Sequence, residues 1–556
     1  MLKEASKQFL QKSKTVILIL IGTVTWSWTM VKSGWFYPFL GKNGAGLGFW
    51  GANGHDGIVH IALAESLSRG TFSMPFFAGS LIQNYHIGFD LILAFLHKIT
   101  FIPILNLYFQ ILPPFFALLV GLVVYIFVKN WQHSKSAAWW STFFVYFGGS
   151  LGWILGKGES TFWSQQGIST LINPPFVLSL ILFTVGLILL LKLEEKFTVI
   201  KFIFSILIFG SLIEIKAYAG ILALGTLLVS GLYSLIIHKK SVLIKIFAGS
   251  LILSLILYLP LNRNSAGLLV FQPFWFLETM MGDRIGWAKF YSAMTTYRSG
   301  GIWIKAIAAY SVAFIIFILG NFGTRIIFLF RKFKLNELNI FIYSIIGAGI
   351  VIPVFFVQKG TSWNTIQFFY YSLFFSSILA GIVVSQIKNK VVLSLIVLIT
   401  IPTTILTLKD VYIPSRPPAM ISSSELSALS FLSKEPQGTV LTQVFDQTKA
   451  DEAVNNPPRS LYLYTSTAYV SAFSKHQTFL EDEINLDISG YNWQSRKNEV
   501  LAWNADKDNA VKRAFLLNNN IKYIYWIKDD GEPLDLKALN LKNIYENNLV
   551  VIYQVE

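Results

Sequence analysis

The sequence predicts an all-α polytopic membrane bundle of about eleven transmembrane helices, followed by a C-terminal α/β domain outside the membrane. Three observations predict it. Mean hydropathy is +0.55, and charged residues make up 13% of the 556 residues, against about 25% in a soluble domain. Apolar runs of about the 20 residues needed to cross a bilayer recur over the first 408 positions. At Lys409 the composition turns polar, and the charge changes sign with it: thirty Lys+Arg face eleven Asp+Glu before that point, and fifteen face nineteen after it.

The apolar runs lie near residues 16–31, 103–128, 137–156, 173–191, 198–215, 217–237, 242–260, 302–330, 338–357, 366–385 and 391–408. The pair meeting between Glu214 and Gly220 reads as two helices or one broken helix. With the N-terminus in the cytoplasm, each inside connection is short and basic, from Lys3, Lys7, Lys12 and Lys14 to Lys388 and Lys390. That is the positive-inside pattern. The net charge of +15 therefore reads as membrane-flanking charge, and nucleic acid is not an expected partner. With no cysteine, disulfides, iron–sulfur clusters and cysteine nucleophiles are excluded.

Three regions follow: a membrane domain over 1–408 with a long first outer loop at 32–102, a linker over 409–423 marked by Pro414, Pro417 and Pro418, and an outer domain over 424–556. In the last, Ser424 to Leu432 reads as a helix with a serine cap. Thr439 to Val444, Leu461 to Tyr464, Ile521 to Ile527 and Leu549 to Val555 read as strands, and Val511 to Asn518 as a helix. No triad spacing, metal cluster or phosphate loop stands out there, so it reads as a structural or recognition module.

Function is expected on the outer face, where the loops are long. Ionisable residues are costly near a bilayer, and seven acids remain on that face: Asp56, Glu65, Asp90, Glu159, Glu214, Glu278 and Asp283. Asp56 opens a helical stretch that runs to a stop at Gly70. Its plain reading is a helix cap, since a carboxylate is favoured at a helix start. At about 100° per residue His60 falls on the same side as Asp56, and Glu65 falls opposite. Asp56 with His60 and His55 could ligate a divalent ion, but without a carboxylate pair that is a weak set; no metal site is assigned and no cofactor is expected.

A second cluster is Tyr85-His86 with Asp90, four residues on from His86, placed at the mouth of a site or on an interfacial helix. Glu159 lies with Trp163, Gln165 and Gln166 in a loop whose acids, amides and indoles suit sugar hydroxyls and sugar faces. Lys216, Arg263, Arg284, Lys289 and Arg298 sit on the outer face against the charge bias, suited either to a lipid-carrier phosphate or to headgroup contact. Gly46-Leu-Gly48-Phe-Trp-Gly51 has dinucleotide-fingerprint spacing but no expected strand before it or helix after it, so it reads as a flexible loop.

The stretch from His55 to Gly70, His-Asp-x-x-x-His-x-x-x-Ala-Glu-x-Leu-x-x-Gly, closes the pattern. Set after one span and before many others and an outer α/β domain, it resembles the GT-C superfamily of integral-membrane glycosyltransferases, near the protein mannosyltransferase-like and aminoarabinose-transferase-like members. The resemblance implies a polyprenyl-phosphate sugar donor in a cell-envelope membrane and Asp56 as the general base that deprotonates an extracytoplasmic acceptor, with inversion as the lipid phosphate leaves. It implies Glu159 as a second acid; His55, His60, Tyr85, His86, Lys216, Arg263, Arg284 and Arg298 are the candidate substrate-binding groups. The pair His55-Asp56 departs from members with two adjacent acids, which puts a metal-dependent mechanism in doubt. The acceptor, whether glycan, lipid or protein, is open. The competing readings are a lipid-carrier flippase, which needs ionisable residues in mid-span, and a non-catalytic scaffold.

Overall fold

The computed structural model describes residues 2–38, 44–158, 160–262, 269–331, 333–359, 361–414, 416–528 and 534–556. The chain divides into two compact units, one built from Met1–Thr29, Leu112–Pro260 and Gly267–Ile413, the other from Met30–Ile111, Leu261–Ala266 and Pro414–Glu556.

The first unit is helical. Among the described residues of the whole chain, eight helices are long and apolar enough to cross a membrane: Ser13–Val31, Ile104–Gln132, Pro174–Glu195, Ala217–Ile237, Trp303–Phe330, Glu337–Phe355, Asn364–Val384 and Lys390–Tyr412. The other three expected spans are shorter. Lys135–Phe147 has 13 residues, and Val199–Ile215 and Val242–Tyr258 have 17 each. Seventeen residues rise about 26 Å, short of a hydrocarbon core of about 30 Å. The first of the three ends where Gly148 and Gly149 follow Phe147. Helices Val199–Ile215 and Ala217–Ile237 are separate, broken by the extended backbone of Lys216 (φ −159°, ψ 113°).

Asn364–Val384 is the central helix of this unit, with 89% of its most apolar window buried. It lies so close to Lys135–Phe147 that a Cβ on Gly381 would stand 2.2 Å from the backbone nitrogen of Ser141. Only glycine permits that approach. The Ser141 hydroxyl uses it to donate to Ile378 O at 2.8 Å.

The second unit carries the sheets. A four-stranded sheet has the order Trp35–Tyr37, Gly46–Phe49, Ala419–Ser422, Arg459–Ser460, so the first outer loop supplies two of its strands. The stretch expected as a flexible glycine loop is therefore in part a buried strand, with Leu47 opposite Ile421. Gly46 is needed because a Cβ there would lie 2.1 Å from Ile421 O. A five-stranded mixed sheet has the order Leu541–Glu546, Val550–Val555, Ile521–Ile527, Thr439–Leu441, Gln477–Thr478.

The expected helix is present as Ser423–Leu432, with Ser422 and Glu425 forming a reciprocal capping box. Leu461–Leu463 is a 3-10 turn and not the expected strand. Its register partner would be missing, since Arg459–Ser460 already ends the pairing with Ala419–Ser422. Arg496 ties the outer-loop segment to the C-terminal segment. Its guanidinium donates to Ala78 O and Phe479 O at 2.8 Å each and stacks over Phe77 at 3.6 Å.

Candidate functional site

Helix Asp56–Ser68 begins at the predicted residue and stops before Gly70, whose φ of +78° is open to glycine. It starts against a wall of rings. A Cβ on Gly57 would lie 2.7 Å from Phe109 and 3.1 Å from Tyr108, so glycine after Asp56 lets the helix end press onto those two aromatics. The helix is buried from Gly57 to Leu67, while the Asp56 side chain remains 48% exposed. A carboxylate held at the mouth of an otherwise buried helix has the access that a proton acceptor needs.

His55 stands beside it, its Nδ1 3.4 Å from Asp56 Oδ1. Burial pulls the His55 pKa down, but the hydrogen bond and charge of Asp56, with the charge of Asp482, outweigh it and leave the pKa raised, against a smaller opposing push from Arg459. Four groups thus feel one another: His55, Asp56, Asp482 and Arg459. Arg459 lies 3.6 Å over the Tyr464 ring, and Tyr464 lies 6.2 Å from the His55 ring. Asp482 is buried, in a left-handed conformation (φ +54°) that lets it cap the helix Glu483–Ile488 by accepting from Asn485 N at 2.9 Å. Burial pushes its carboxyl up to about 7, partly offset by the bonds from Asn485, with Asp56 pushing the same way as burial.

Beneath Asp56 lies a buried polar pair. His60 Nδ1 donates to Asp90 Oδ1 at 2.7 Å, and both side chains are at most 5% exposed. Tyr108 stacks on His60 at 5.7 Å, and its hydroxyl has no hydrogen-bond partner among the described residues. Tyr85 lies 6.3 Å from His60 and stacks on His86 at 4.7 Å. Burial, then the charges of Asp90 and Asp56, hold the Tyr85 phenol well above its usual pKa, so it is a neutral donor. Asp56, His55, His60, Tyr85 and His86 thus fall in one unit. His60 meets Asp90 directly, and Glu65 pairs with Lys475 at 3.3 Å on the far side of its helix, as the helical angle requires.

Lys216, Arg284 and Arg298 fall in the other unit. Lys216 is buried at the helix break, with Nζ 3.5 Å from Asn173 Oδ1. Arg284 stacks over Trp163 at 3.9 Å, and its carbonyl accepts from Lys157 Nζ at 2.7 Å. Arg298 is bound to Glu278 at 2.5 Å, and Glu278 also accepts from the Tyr310 hydroxyl, so this cation already has an acid. Glu159 and Arg263 lie outside the described residues.

Sequence reasoning missed Asp482, Arg459, Tyr108 and Arg325. The run Glu481-Asp482-Glu483 could have signalled the first. Arg325 is buried within an expected span and donates to Gln166 Oε1 and Asn321 O at 2.6 Å each. Among the described residues no three His, Asp or Glu side chains form a metal-binding group.

No protein-family model and no curated protein matches the sequence. Solved structures do match. The apo oligosaccharyltransferase of Archaeoglobus fulgidus aligns with 92% of this chain and 69% of its own at 11% identity and a TM-score of 0.50. The arabinofuranosyltransferase AftD from Mycobacteria aligns with 97% of this chain and 40% of its own, at 11% identity and a TM-score of 0.51. This chain shares the fold of these two structures. This chain spans well under half of AftD.

Proposed function

We propose that this protein is a multi-pass membrane glycosyltransferase that moves a sugar from a polyprenyl-phosphate carrier to an acceptor outside the cytoplasm. The observation that carries the reading is the Asp56 carboxylate, half exposed at the head of a buried helix in a GT-C fold. Both compared structures are glycosyltransferases, which supports sugar transfer as the reaction class.

In the proposed step the acceptor hydroxyl gives its proton to Asp56 as its oxygen forms a bond to the anomeric carbon. The bond from that carbon to the lipid phosphate breaks on the opposite face, and the phosphate leaves with the electron pair. A carboxylate within hydrogen-bond reach suits the first task. A cation suits the leaving phosphate, and Arg459 is the cation whose field reaches His55 beside the base. His55 stands 3.4 Å from the Asp56 carboxylate, and the His60–Asp90 pair with Tyr108 packs one turn further along the same helix. The proposed chemistry runs on protein groups alone.

The test is Asp56→Asn in the full chain in its native membrane. Transfer is expected to stop while insertion and folding persist. Transfer near the wild-type rate would remove Asp56 from the mechanism and the reading with it.

A further inference from the structure

The second unit contains a cleft that the step above does not use. It encloses about 520 Å³, counting solvent at its mouth, and Tyr462, Tyr464, Thr465, Thr467, Asp482 and Glu483 line it. Two of its walls are shared with the candidate base. Tyr464 faces the His55 ring at 6.2 Å, and Asp482 lies in the field of Asp56. The cleft is therefore separated from His55, the residue next to Asp56, by the Tyr464 ring.

Its chemistry is specific. Thr467 is 94% buried by its 6% exposure, and its hydroxyl has no hydrogen-bond partner among the described residues. A buried hydroxyl without a partner is costly, so this one is built to meet something that enters. Asp482 and Glu483 put carboxyls on the same wall, and the neighbouring cation, Lys497, is bound to Glu483 at 2.8 Å. The lining residues include the acids Glu481, Asp482 and Glu483 and no cation, so an anionic ligand would meet acids first, with Arg459 standing behind the Tyr464 ring. A neutral ligand rich in hydroxyls would meet acceptors, hydroxyl partners and tyrosine rings for its apolar faces.

We infer that this cleft is the acceptor subsite and that the acceptor is a neutral glycan, its terminal hydroxyl presented to Asp56. The inference rests on the proposed transferase reading for its last step, but the binding itself does not. Alternating hydroxyls and ring faces are what a chain of sugars offers, and Thr467, Asp482 and Tyr464 are placed to read them.

The test is binding of the full-length protein in nanodiscs to an array of immobilised neutral hexose and pentose oligosaccharides, with oligogalacturonates and unglycosylated peptides as the other arms. Saturable binding to neutral glycans is expected. Thr467→Val should weaken it about three- to tenfold, since one hydrogen bond is lost, and Asp482→Asn about tenfold or more. Thr467→Val removes a hydroxyl that bonds nothing in the protein, so its melting temperature should hold, which separates lost contact from lost fold. Absence of neutral-glycan binding, preference for the acidic or peptide arm, or binding unchanged in both cleft variants would overturn the inference. Failure of the transferase reading would show differently, as glycan binding intact with transfer indifferent to Asp56.

Discussion

Replacing Asp56 by Asn keeps the shape of the side chain and removes its charge, and the structure sets how large each consequence should be. The stability cost is small. A carboxylate in the first turn of a helix contributes about 0.3–1 kcal/mol. The contact with His55 is 3.4 Å long, with side chains 29% and 48% exposed, so solvent screens it, and such pairs contribute roughly 0–1 kcal/mol. The variant should therefore lose no more than about 2 kcal/mol and remain folded. The loss in transfer should be far larger. A positioned general base contributes about 10²–10⁴ in rate, which is roughly 3–5 kcal/mol at about 1.36 kcal/mol per decade. The assay is consumption of lipid-linked sugar by membranes holding equal amounts of each protein, followed by mass spectrometry, beside a melting curve of the purified protein. A variant that keeps more than about a tenth of wild-type turnover would refute the reasoning. So would one that melts as though several kcal/mol had gone, because Asp56 would then be holding the fold.

The buried His60–Asp90 pair should behave in the opposite way. Asp90→Ala leaves the His60 Nδ1 donor without its 2.7 Å partner in a buried site, and a cost of about 1–3 kcal/mol in unfolding free energy is expected. Gly381→Ala should cost about 1–3 kcal/mol in a melting assay through overpacking, because its Cβ would meet the Ser141 backbone. Stability should also depend on Asp482. Its carboxyl is raised to about 7 in the fold, against about 3.9 when unfolded. Between those values the native state binds more protons than the unfolded one, so stability falls as pH rises through that window and is flat above it. The fall is on the order of a few kcal/mol. Asp482→Asn should flatten the pH dependence of the melting temperature, and an unchanged slope would count against the burial that raises the group.

The helix that begins at Asp56 was legible because three local signals agreed: an acid at the start, helical apolar spacing after it, and Gly70 to stop it. The membrane helices were legible by length, except where the sequence ran apolar through a break. Gly148 and Gly149 end a helix whose hydropathy does not change, and the backbone at Lys216 turns between two apolar runs. The neighbours of Asp56 were not legible, because they are distant in the chain. Asp482, Arg459 and Tyr464 come from beyond residue 450, and no periodicity in the first outer loop points to them. His60 illustrates the limit. Its angle to Asp56 on the helix is read from spacing, but its bond is to Asp90, on helix Gly88–Thr100, thirty positions along the chain. Helical phase shows which way a side chain faces and not what waits there.

The pairing of Gly46–Phe49 with Ala419–Ser422 sets an order of events during synthesis. The earlier strand has Trp35–Tyr37 on one edge from the start, but its other edge stays unmatched until the ribosome has passed residue 422, and the sheet gains its outer member only after residue 460. Contacts between residues so far apart in sequence form late. A nascent or truncated chain can thus lodge its early helices in the bilayer and still lack the scaffold around Asp56.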